Sequence, residues 1–167
     1  MMGIVALLAQ VAGVGGTRAP KAAPGPAQRT LAVIPGGSVP DIGSTTLGTA
    51  SVKVAAGDPV RMRATATVTA TKLPRKGVAQ VVCGIRYVRA GDPSWSLGSA
   101  YETVQLRGRG ATEQVTIERS FAAPAADTYR MTAACHVASP ATGVTVRASG
   151  GMRAAVGLPD GAAQPVA

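Results

Sequence analysis

At 167 residues the chain has the length of one domain with appendages, and it holds 21 Gly, 12 Pro, two Cys, one His and few aromatics, namely one Trp, three Tyr and one Phe. That inventory excludes an aromatic-rich core and leaves any nucleophilic site a single imidazole to serve as its base. A formal net charge of +9, from 17 Lys and Arg against 8 Asp and Glu, gives the surface an attraction for anionic polymers and none for basic ones.

Residues 1–16, MMGIVALLAQVAGVGG, form an apolar run too brief to cross a bilayer as a helix. With small residues that suit cleavage after Gly15 or Gly16, they resemble the apolar part of a secretory signal peptide, although no Lys or Arg precedes them. The expectation is a secreted protein with no transmembrane segment in its mature chain. Residues 17–48 hold five prolines and several glycines, which exclude a sustained helix or a central strand and predict an extended arm. Its apolar island, Thr30, Leu31, Ala32, Val33 and Ile34, either lies along the domain's own sheet edge or adds to the edge or groove of a partner protein.

The β domain is expected over 49–157, with a loose tail at 158–167. Val52 and Val54 alternate with Ser51 and Lys53 up to the turn at Ala56-Gly57-Asp58-Pro59. The clearest periodicity follows. Val60, Met62, Ala64, Ala66, Val68 and Ala70 fall on one side and Arg61, Arg63, Thr65, Thr67, Thr69 and Thr71 on the other, a strand half buried and half wet. Lys72, Arg75 and Lys76 belong to a basic turn. A strand over 78–89 then ends at a second Ala-Gly-Asp-Pro, and 94–106, with Trp95, carries a weaker one. Arg107 and Arg109 form another basic turn, and 111–121 places Val115 and Ile117 inward. After a strand over 127–137, the last one runs through Val144, Val146 and Ala148 and is expected to bulge or break at Gly150 and Gly151. Arg61, Arg63, Arg130 and Arg147 all fall on polar strand faces, which form one cationic surface if their strands are neighbours.

In VVCGIRY alternation puts Val81, Cys83, Ile85 and Tyr87 on one face; in DTYRMTAACHV it groups Tyr129, Met131, Ala133, Cys135 and Val137 and turns His136 the other way. Cys83 and Cys135 are therefore read as a disulfide pinning two strands across the core, which requires an oxidising compartment. About seven strands separated by regular turn signals predict an all-β sandwich. The order Cys83, Trp95, Tyr129, Cys135, with Asp-x-Tyr ahead of the second cysteine, resembles a bacterial secreted immunoglobulin-like domain over roughly residues 49 to 156. The resemblance implies an immunoglobulin-like β-sandwich of about seven antiparallel strands with one intradomain disulfide.

Catalytic parts are scarce. His136 is expected to face solvent or the next layer, and adjacent Cys135 and His136 point apart and make no metal pair. Glu102, Glu113 and Glu118 are scattered, Asp58 and Asp92 are engaged by turns, and no phosphate-cradling glycine motif opens a helix. The expectation is no enzyme, no cofactor, no metal and no specific nucleic-acid partner. Contact is the alternative. The first reading is a secreted adaptor or structural subunit that engages another secreted protein or assembly subunit through Thr30, Leu31, Val33, Ile34 and Trp95. A rival is a module for extracellular glycans or an anionic cell-surface polymer, using Trp95 and the basic surface of Lys72, Arg75, Lys76, Arg107 and Arg109. A third is an inhibitor that presents Arg107-Gly108-Arg109 to a trypsin-like protease.

Overall fold

The computed structural model describes residues 25–40, 43–92, 100–138 and 143–156. Within them every regular element is a strand: β1 (Arg29–Thr30), β2 (Ala32–Val33), β3 (Thr45–Val54), β4 (Pro59–Lys72), β5 (Val78–Arg89), β6 (Ala100–Arg107), β7 (Thr112–Ala122), β8 (Asp127–Val137) and β9 (Thr145–Val156). They form two sheets over one shared core. The first has the order β1-β9-β4-β7. In the second, β5 and then β6 flank one side of β8, while β3 and the short β2 share its other side. Each pairing is antiparallel except that of β2 with β8.

The alternation in β4 sets the pattern for the first sheet: its Val, Met and Ala positions are buried, and Arg61, Arg63, Thr65 and Thr67 stay exposed. Val115 and Ile117 of β7 and Val146 and Ala148 of β9 complete that layer. The opposing layer comes from Val52 and Val54 of β3, Val81, Ile85 and Tyr87 of β5 and Tyr129, Met131 and Val137 of β8. The residues 45–48, within the expected arm, are thus part of β3, and the sheets hold two more short strands than expected.

Cys83 and Cys135 are bonded, but not across the core. They stand directly opposite one another in the β5–β8 ladder, with Cα atoms 4.1 Å apart, so the bridge joins neighbours within one sheet. Period-two alternation tells which face a cysteine takes, and two residues that both face the core satisfy either arrangement. The bridge of antibody domains, by contrast, links facing sheets. Ala64, Ala66 and Ile117 of the first sheet and Cys83, Ala133 and Cys135 of the second line a void of ≈ 10 Å³, so small alanines face the space the sulfurs fill.

The break expected at Gly150 and Gly151 does not occur. β9 runs through both, with Gly150 opposite Ala66 and Gly151 opposite Thr65. Close approach explains Gly150: a Cβ there would strike the Thr65 carbonyl. On the neighbouring edge, a Cβ on Gly48 of β3 would lie 3.1 Å from the Met152 nitrogen, so that glycine lets the two sheets close at this corner.

The apolar island docks on its own domain. Thr30 pairs with Arg147 in the first sheet, Ala32 with His136 in the second, and Leu31 between them is buried in the core, 4% exposed. From there the chain folds over the outside of the second sheet as a strap. Ile34 N donates to Val137 O (2.8 Å), Gly36 N to Ala138 O (3.1 Å), and Pro40 lies against Gly84, where a Cβ would sit 2.8 Å from the proline ring.

Candidate binding surfaces

The two basic turns meet at one end of the molecule. Gly77 N closes the β4–β5 turn on Pro74 O (2.7 Å), and Gly108 N of the β6–β7 turn donates to Gly77 O (3.0 Å). Gly110 N adds a bond to Ala70 O (2.8 Å). Gly108 and Gly110 have φ of 78° and 82°, which glycine adopts at little cost, so the second turn can fold tightly against the first. The result gathers Lys72, Arg75, Lys76, Arg107 and Arg109, all exposed. Arg107 Nη2 donates to Gln105 Oε1 at 2.8 Å. Exposed cations act together when they lie within about a Debye length, roughly 8–10 Å at physiological salt.

A second polar surface is the outer face of the first sheet. Register places Glu118, Arg63 and Arg153 in one row across β7, β4 and β9, then Thr116, Thr65 and Gly151, then Gln114, Thr67 and Ser149. Over the glycine lies a depression of ≈ 490 Å³, with Arg63, Thr67, Gln114, Ser149 and Arg153 around it and Pro26 on its rim. Arg63 Nε lies 3.2 Å from Glu118 Oε1. Arg61 and Arg147 share this face; Arg130 belongs to β8, in the other sheet, so the four arginines do not form one surface.

His136 does not face solvent. Although it points away from the core, the strap covers it completely. Its Nε2 donates to Gly37 O (3.0 Å), and its Nδ1 and Ser44 Oγ are hydrogen-bonded at 3.3 Å. With both nitrogens engaged inside the protein, the ring fastens the strap to β8. The sequence trace of this contact is Gly37, where a Cβ would lie 2.6 Å from the imidazole.

At the end opposite the basic turns sit the stacked rings of Tyr87 and Phe121, with centroids 5.2 Å apart, and Tyr129, whose hydroxyl donates to Ala125 O (3.1 Å). Burial raises the pKa of the Tyr87 phenol, and the Arg119 guanidinium beside it works the other way. Asp127 accepts from its neighbour Thr128 N (2.7 Å), from Gly91 N (3.1 Å) and from Arg89 Nε (3.3 Å). The bond from Thr128 N is the chief reason its carboxyl ionises below the ordinary range.

Of the residues expected to meet a partner, Thr30 is exposed, Val33 is 46% exposed, Ile34 is half-buried and Leu31 is spent in the core. Trp95 lies outside the described residues. Asp92 and Ala100, which bracket its segment, stand at the opposite end of β5 and β6 from the basic turns.

No family model matches the chain, and no curated protein matches it. Among solved structures it is similar to the C-terminal domain of EclA, a sugar-binding protein, at 16% identity over 87% of this chain and 89% of that chain, with a TM-score of 0.37.

Proposed function

We propose that this is a non-enzymatic, exported binding module whose basic end engages an anionic extracellular polymer, such as an acidic wall or capsular glycan. The observation that carries this reading is the bond between Gly108 N and Gly77 O, which joins two basic turns remote in sequence into one cationic surface. A polyanion recognised this way is held by many weak, screened attractions, so binding falls as salt rises. The test is binding of the full chain to an immobilised uronate-rich polymer across an NaCl series. Wild type is expected to lose affinity steadily with salt, and Lys72→Glu/Lys76→Glu/Arg109→Glu to lose roughly tenfold or more at low salt. Salt-independent binding, or an unaltered variant, sinks the reading.

A second reading, an adaptor that meets another secreted protein, draws on Val33 and Val39, which are 46% and 37% exposed on and beside the strap. It no longer draws on Leu31. Co-purification lost on Val33→Lys/Val39→Lys, with the basic end intact, would favour it. The inhibitor reading has less support, since Arg107 to Gly110 is drawn in against Gly77 rather than held out.

A further inference from the structure

We infer that the outer face of the first sheet holds a site for a short carboxylated saccharide, seated over Gly151 between Arg63 and Arg153. The inference rests on the reading above and deepens it, assigning recognition of the acidic sugar unit to a surface separate from the basic end.

The first support is charge placement. Arg63 and Arg153 stand directly opposite each other on adjacent strands, where like charges repel and lower stability. Glu118 lies on the far side of Arg63, in β7, and offsets it there. Among the described residues no carboxylate forms an ion pair with Arg153. An anion between the two guanidiniums turns this repulsion into attraction, and a carboxylate suits their forked donors.

The second support is Gly151 itself. A Cβ on Gly150 would collide with the Thr65 carbonyl and one on Gly48 would crowd the Met152 backbone; a Cβ on Gly151 would meet nothing within 4 Å, and its φ is not in the left-handed region. Neither packing nor conformation demands glycine at 151. What its missing side chain does is open the layer of side chains on this face into the depression.

The third is the lining. A space of ≈ 490 Å³ falls within the range of roughly 300–1,000 Å³ usual for small-ligand sites. Its walls carry the hydroxyls of Thr65, Thr67 and Ser149 and the Gln114 amide, donors and acceptors matched to a ring bearing several hydroxyls.

The experiment is calorimetric titration of the full chain with a uronic-acid tetrasaccharide and with its carboxyl-reduced, neutral counterpart. Wild type binds the acid form and binds the neutral form at least tenfold more weakly. Gly151→Val fills the depression and abolishes binding while the melting temperature holds or rises, since Val favours a strand. Arg153→Gln weakens binding about tenfold, and Glu118→Gln tightens it by releasing Arg63. Equal binding by wild type, Gly151→Val and Arg153→Gln overturns the inference, as does failure to bind the tetrasaccharide while the long polymer is still held by the basic end. Should the tetrasaccharide bind over Gly151 while the long polymer ignores the Lys72, Lys76 and Arg109 substitutions, the reading of the basic end falls and this site stands.

Discussion

Asp127 shows how much one side chain organises at the closed end of the molecule. Its carboxylate collects Thr128 N, Gly91 N and Arg89 Nε, tying the start of β8 to the end of β5. These donors favour the ionised form, so the folded pKa lies below the unfolded one. The stabilisation is therefore present above the ordinary carboxylate range and is lost as pH falls through the folded pKa. Asp127→Asn should be less stable than wild type at neutral pH, with the gap closing as the solution is acidified. Urea midpoints measured for both proteins from neutral pH downward check this; a gap that does not change with pH would mean that the carboxylate's charge is not what matters. His136 teaches a different lesson at the same scale. Alternation correctly turned it away from the core, yet it gave no sign of what covers that face, because the covering strap lies about a hundred positions earlier in the chain.

The strands differ in how legible they were, for a physical reason. β4 announces itself because one face is dry and the other wet along its whole length, so period two is written in full. β1 and β2 are two residues each, and the one core side chain of this stretch, Leu31, lies between them, too little to leave a period. The two-sided choice for the apolar island was resolved by tertiary packing alone. β9 misled because glycine in a strand signals either a bulge or a close approach, and here Gly150 lies on the Thr65 backbone while pairing continues. If Leu31 is the anchor that holds the strap, Leu31→Ala should destabilise the protein by about 3 kcal/mol through the lost burial and residual cavity. It should also expose residues 34–40 to protease before the sheets open. Limited proteolysis followed by mass mapping separates the outcomes: cleavage first elsewhere, or a stability change under about 1 kcal/mol, would show that the backbone bonds of Ile34 and Gly36 hold the strap without it.

At the scale of the whole molecule, the two ends and the two faces do different work. One end is closed by aromatic rings and Asp127; the other presents the basic turns. The core between them is mostly Val, Ala and Leu, with little area per residue, so the margin of stability is narrow. The disulfide matters for that margin rather than for shape. Cys83 and Cys135 sit opposite each other in a ladder continuous from Val81–Val137 to Arg89–Tyr129, so the sheet already sets their spacing without the bridge. The covalent link instead restricts the unfolded chain, closing a loop between residues 52 apart. On the chain-entropy account that is about 4 kcal/mol, a large share of the 5–15 kcal/mol typical of a domain. Cys83→Ala/Cys135→Ala should therefore keep the β-sheet circular dichroism of wild type at low temperature and melt roughly 10–15 °C lower. A variant without β structure at any temperature would mean that the bridge sets the register of β5 on β8. A variant that melts like wild type would mean that the unfolded chain gains no freedom when the link is cut.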